Sequence, residues 1–186
     1  MVKIGLTGGI GTGKTYLSTH FVEMGIPVYY ADDEAKKLYR QPAFLKEMRE
    51  AFPDPRLWLA DGTLNMLTLS QSFEDEEFLQ RLSHFVHPFV MRDFERWAEA
   101  QNAPSVIMES AILFEYGLDK YFDKIIVADA SEALRIKRIQ QRNSNLSEEE
   151  IRQRMSRQMP QSEKCSRADL VVCTGETYQE MVGDNR

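Results

Sequence analysis

No apolar run in this chain approaches the roughly 18 residues that a membrane-spanning helix needs. The stretch Val2 to Leu6 is too short for the core of a signal peptide, and glycines and a lysine follow it. A membrane association is therefore unexpected. Cysteine is scarce as well: Cys165 and Cys173 are the 2 in the chain, without metal-ligand spacing, so neither a disulfide scaffold nor a zinc module is indicated. A reduced, cytoplasmic setting is the simplest expectation. Positive charge is also lacking. The formal net charge of −6 argues against a general nucleic-acid binder. Internal repeats and low-complexity tracts are absent.

What the chain does have is enough length, 186 residues at 42% hydrophobic, for one domain with a real core and a small insertion. Its charge is uneven. Ser131 to Arg167 carries nine Lys/Arg against five Glu, a net +4 in a chain that is otherwise −10. A local basic stretch suits a small anionic ligand better than a polymer, although i,i+4 ion pairs on a solvated helix face account for part of it.

Residues 8–15 read Gly8-Gly9-Ile10-Gly11-Thr12-Gly13-Lys14-Thr15, which is G-x-x-x-x-G-K-[ST]. An apolar run precedes this motif and a helical pattern through Met24 follows it. In that context it is a phosphate-binding loop. Glycines let successive N–H groups turn toward phosphate oxygens, and the helix start adds its positive dipole end. Gly9, Gly11, Thr12, Gly13, Lys14, Thr15 and Tyr16 are the candidate nucleotide contacts, with Lys14 reaching the β- and γ-phosphates and the Thr15 hydroxyl available to Mg²⁺. A guanine-nucleotide switch is not indicated, since neither N-K-x-D nor D-x-x-G occurs.

Strand patterns at Val2–Leu6, Pro27–Tyr30, Ser105–Met108, Lys124–Ala128 and Leu170–Cys173 alternate with helical segments. This predicts an α/β fold: a parallel five-stranded sheet of P-loop NTPase type, flanked by helices. Gly25 is expected to end the first helix. From Gln41 to about Asn102 strand patterns disappear, and His87-Pro88 is read as opening a helix toward Ala100. Ser147-Glu148-Glu149-Glu150 is a capping box opening a helix toward Met159. The expected organisation is a nucleotide core (1–40, 103–141 and 160–186), a helical acceptor-substrate insertion (41–102) and a helical lid (142–159).

Ligands of such sheets gather at the carboxyl ends of the strands. Asp32 and Asp33 follow the second strand, and either can serve as general base while the other caps a helix or faces solvent. Asp32 is the preferred base. Glu109 closes the third strand, where it suits a Mg²⁺ ligand or a buried ion pair. Arg138 and Arg142 share a helix face, and Arg154 and Gln158 repeat that spacing. Such arginines clamp phosphates, stack on an adenine or form structural ion pairs.

Together these residues resemble the dephospho-coenzyme A kinase family along nearly the whole chain. The similarity lies in Ile4 to Thr15, Gly25-Ile26-Pro27-Val28 with Ala31-Asp32, His87-Pro88-Phe89-Val90, Ile112 to Leu118, the segment from Arg138 to Pro160, and Ala168 to Val172. The resemblance implies transfer of the ATP γ-phosphoryl to the ribose 3′-hydroxyl of dephospho-coenzyme A, with Mg²⁺, and no obligate protein partner. It implies Asp32, Lys14, Arg142 and Arg154 as catalytic residues and Arg138 among the nucleotide contacts. Asp32, His87, Leu113 and Phe114 would then meet the acceptor, and Thr15 and Glu109 the metal. A P-loop kinase for nucleosides or nucleotides would share the loop and the arginines, but His87-Pro88 and the helical insertion favour the first reading. The chain departs from the family at Tyr30, where an Asp is usual, and at Ser110-Ala111, where an apolar residue and Pro are usual. The family also continues as a longer helix where this chain ends at Arg186, which leaves truncation open.

Overall fold

A computed structural model describes residues 1–175. The segment 176–186, assigned above to the nucleotide core, lies outside the described residues. Five strands form one sheet in the order β2-β3-β1-β4-β5: β1 (Val2–Thr7), β2 (Val28–Tyr30), β3 (Ser105–Glu109), β4 (Lys124–Asp129) and β5 (Leu170–Cys173). β1 pairs in parallel with β3 and β4, and β4 with β5. Each strand matches its predicted position to within a residue or so. The central β1 puts Leu6 beside Ile107 and Ile126 in a core that the first helix covers with Leu17.

The chain divides into two compact units, Met1–Tyr29 with the chain from Gln101 onward, and Tyr30–Ala100. In the first, α1 (Lys14–Glu23) follows the glycine loop and ends at Met24, after which the N–H of Gly25 bonds Val22 O. α6 (Glu132–Arg142) starts at Ser131, whose hydroxyl accepts from Leu134 N. α7 (Glu148–Ser156) has the expected capping box between Ser147 and Glu150. Its Ile151 is buried against Ile136 and Ile139 of α6, with Ile10 of the loop packed on the same cluster. The helix read as a lid is thus packed within the first unit, and α8 (Gln161–Ser166) follows it.

The second unit holds α2 (Ala31–Leu38), α3 (Pro42–Ala51), α4 (Met66–Gln71) and α5 (Glu76–Glu99), with short 3₁₀ turns between them. Two expectations are corrected here. The stretch is not free of β pairing, because an antiparallel bridge joins Trp58 and Leu64 around the Asp61-Gly62 turn. Nor does Pro88 open a helix: it lies inside α5, which starts twelve residues earlier where the Asp75 carboxylate accepts from Phe78 N. An internal proline costs a helix about 3 kcal/mol. A buried stripe of Leu82, Val86, Val90, Phe94 and Ala98, one residue every four, outweighs that cost by running the apolar face straight through it.

Candidate active site

The loop after β1 curls because Gly11 and Gly13 take positive φ, 81° and 90°. At Gly11 a side chain would also meet the backbone of Arg135, with a Cβ only 2.8 Å from its carbonyl oxygen. α6 therefore sits directly on the loop, and glycine is required for both reasons. The Lys14 ammonium lies back across the curl, donating to Gly8 O at 2.8 Å and Gly9 O at 3.3 Å. The Thr12 hydroxyl, fully buried, donates to Gly9 O at 2.8 Å.

The outer side of the loop is gripped by side chains from distant sequence. Arg135 Nε donates to Ile10 O at 2.9 Å. Arg138 donates to Gly11 O at 3.3 Å, and to the hydroxyl (2.9 Å) and carbonyl of Thr174. Thr174 follows β5, and its hydroxyl contacts Thr12 O. Gln161 accepts from Gly9 N at 2.9 Å and Gln158 from Ile10 N at 2.8 Å. Both arginines are buried, and that burial pulls the Arg135 guanidinium below its ordinary value while Asp129 opposes the shift.

Glu109 ends β3, and its carboxylate accepts from Ser18 Oγ of α1 at 3.1 Å. Thr15 is exposed at the second residue of α1, and Tyr16 is half-buried with its ring edge-on to His20. Arg142 and Arg154 are exposed. Leu113 and Phe114 are core side chains rather than surface contacts, with Phe114 lying under the Arg167 guanidinium. The turn that carries them begins at buried Ser110, whose hydroxyl accepts from Ile112 N.

In the second unit Asp32 is exposed in the first turn of α2. Neither Asp32 nor Asp33 is the cap of that helix; Tyr30 occupies the position, without a side-chain bond. Asp33 is exposed and paired with Lys36, which holds its carboxyl below the usual range. His87 is half-buried in α5, and burial, with His84 nearby, pushes it down to about 4.

The family model for dephospho-CoA kinase matches residues 2–180. A dephospho-CoA kinase of Bacteroides fragilis is 36% identical over 174 residues, which is 92% of this chain and 83% of the relative. The chain belongs to the dephospho-CoA kinase family. It is a transferase of the kinase type. Among solved structures, TT1252 from Thermus thermophilus superposes with a TM-score of 0.80 at 28% identity, covering 100% of this chain and 98% of that one. A dephospho-CoA kinase from Campylobacter jejuni shares the fold, with a TM-score of 0.64 at 23% identity over 96% and 90% of the two chains.

Sequence reasoning missed several polar residues that this kinase-family chain brings to the loop. Arg135, Gln161 and Thr174 carry no motif of their own in the sequence, and Gln158 enters it only through its spacing from Arg154 and its place in the family-like segment ending at Pro160. Thr174 could have been found from its place at the carboxyl end of a strand. In the sequence Lys164 is one charge in a basic stretch. It is fully buried, donating to Ala111 O at 2.7 Å and Glu115 Oε1 at 2.6 Å. Burial pulls its ammonium below the ordinary lysine value, and Glu115 opposes the shift.

Proposed function

We propose that this chain transfers the γ-phosphoryl group of ATP to the ribose 3′-hydroxyl of dephospho-coenzyme A, giving coenzyme A and ADP, the last step of coenzyme A synthesis. The family match over residues 2–180 carries the choice of acceptor. The glycine loop supports the choice of donor: its backbone turns at Gly11 and Gly13, and Lys14 lies across the curl beside α1's N-terminus. That is a cradle for an anion whose charge grows during phosphoryl transfer.

In the proposed step the 3′-oxygen forms a bond to the γ-phosphorus while the bond to the β–γ bridging oxygen breaks. ADP leaves with that electron pair, and Asp32 takes the hydroxyl proton. Lys14 balances charge on the β- and γ-phosphate oxygens. Arg142 and Arg154, exposed here, pair with phosphate when nucleotide is bound, and Arg138 acts on the nucleotide through the loop and Thr174. His87 and the turn holding Leu113 and Phe114 serve the acceptor. Mg²⁺, when bound, offsets phosphate charge and would be held by Thr15 and Glu109. A hydroxyl and a carboxylate are oxygen donors of the kind that ion takes. Among the described residues no group of three or more His, Cys, Asp or Glu could hold a metal, and Mg²⁺ typically binds through one or two protein oxygens plus phosphates and water. No helix among the described residues is long and apolar enough to cross a membrane. We place the enzyme in the cytoplasm, acting without an obligate protein partner or nucleic acid.

The test is mass spectrometry of the protein incubated with ATP, Mg²⁺ and dephospho-coenzyme A, beside parallel reactions with nucleoside monophosphates. Formation of coenzyme A and ADP is expected. Phosphorylation of a nucleoside monophosphate, with dephospho-coenzyme A untouched, would overturn the assignment.

A further inference from the structure

Side chains bond the peptide groups of the phosphate loop from Gly9 to Gly11. Gly9 O is taken by Thr12 and Lys14, Ile10 O by Arg135, and Gly11 O by Arg138. The N–H groups of Gly9 and Ile10 go to two glutamine side chains more than 140 residues away in sequence. Gln161 uses both ends of its carboxamide: Oε1 accepts from Gly9 N, while Nε2 donates to Ala128 O of β4 at 2.9 Å. It thus bridges the loop to the sheet. The fit is close, since a Cβ on Gly9 would come within 3.2 Å of Gln161 Oε1.

The segment carrying these glutamines is itself fixed from its other side. Glu115 Oε1 accepts from Met159 N at 3.0 Å and from the buried Lys164 ammonium, which also bonds Ala111 O. The α7–α8 connection is therefore braced against the turn after β3, and from that base it reaches the loop. The chemistry of the reach is selective. A carboxamide supplies an acceptor without charge, whereas a carboxylate so near the loop would repel phosphate. At position 161 a carboxylate would also lose the donor to Ala128 O.

We propose that Gln158 and Gln161 are positioning residues of the phosphate loop, holding the Ile10 and Gly9 amides so that its curve is set before nucleotide arrives. The loop's ordering cost then falls in folding and not in binding, which is the physical content of preorganisation. The inference rests on the proposed function only in that the loop's ligand is a nucleotide.

The experiment uses the full chain with Gln158→Met and Gln161→Met, which keep side-chain length and remove the hydrogen-bonding groups. Amide exchange by NMR without ligand reads the bonds directly, and calorimetry with ADP reads nucleotide affinity; neither requires the acceptor. Exchange is expected to speed about tenfold at Ile10 in Gln158→Met and at Gly9 in Gln161→Met. ADP binding should weaken about tenfold, which is about 1.4 kcal/mol. With dephospho-coenzyme A the ATP KM should rise while kcat stays within about twofold, the split expected of preset binding. Gln158→Glu, which retains the acceptor, should keep Ile10 exchange slow and still weaken ADP binding through its charge. Unchanged exchange in the methionine variants would overturn the proposal, as would a fall in kcat at constant ATP KM. Absence of coenzyme A formation with the exchange and ADP results as expected would instead strike the proposed function.

Discussion

Each of the two units is built internally on a different chemistry. Around the sheet, Thr12, Lys14, Arg135, Arg138, Gln158, Gln161 and Thr174 direct hydrogen bonds at residues 8–12. In residues 30–100 rings meet rings: Phe44 lies 4.9–5.5 Å from Tyr39, Phe85 and Phe89, and Phe52 meets Phe78 and Phe85 at 5.5 and 5.6 Å. Arginines cover those rings from outside, Arg81 over Phe52 and Arg92 over Phe89. Hydrogen bonds are directional, so the first arrangement fixes individual peptide groups, as the proposed anion site would demand. Ring contacts supply area with broad angular tolerance, which suits a scaffold.

Asp32 offers the sharpest way to break that contrast, because it belongs to the aromatic unit yet is the proposed base. Asp32→Asn keeps the shape and removes the basicity. A fall of about 10²–10⁴ in kcat is expected, the usual range for general-base removal, with ATP affinity little changed. Asp33→Asn should cost far less, since Asp33 is paired with Lys36 in solvent. Steady-state kinetics of both variants decide it, and the reverse ranking would move the base to Asp33.

Two further substitutions sharpen the contrast from opposite sides. Phe44 is 2% exposed, and Phe44→Ala should destabilise the helical unit by about 3–5 kcal/mol. Hydrogen exchange should then quicken across 30–100 before it does in β1 and β4; equal quickening everywhere would mean that one cooperative core spans both chemistries. Lys14→Ala should instead leave thermal stability close to the parent while turnover falls by roughly 10²-fold or more, since a fixed positive charge at the phosphates is lost. Near-normal turnover would remove the loop from the reaction.

The loop, the five strands and the capping box at Ser147 were legible because each signal is local: a glycine spacing, an apolar run, a serine three residues before a glutamate. The grip on the loop was not. Gln161 and Arg135 are ordinary polar residues on helical segments, and only the fold brings them against Gly9 and Ile10. The start of α5 was misread for a related reason. Pro88 is a strong local signal, but it competes with a buried stripe running from Leu82 to Ala98, and burial prevails. Asp32 and His87 are candidates from sequence because they sit at a strand end and in a short motif, and their roles remain part of the proposal, whereas Tyr30 as the cap of α2 carries no capping signature.

The smallest expected effect concerns acid. His87 titrates at about 4 in the folded protein, lowered first by burial and then by His84, against an ordinary 6.5. Between those values the unfolded chain holds a proton that the folded chain refuses, so the group makes no difference above pH 6.5. Stability then declines as pH falls from 6.5 toward 4. The slope from one such group is at most about 1.4 kcal/mol per pH unit, and less here because the ring is only half-buried. Trp58 and Trp97 are the 2 tryptophans of the chain and both lie in residues 30–100, so their fluorescence follows the unit that contains His87. Urea midpoints taken at pH 7, 6, 5 and 4.5 should drop more steeply for the parent than for His87→Gln, which cannot take up the proton. Parallel slopes would show that His87 is solvated in both states and contributes nothing to the acid sensitivity of the unit that contains it.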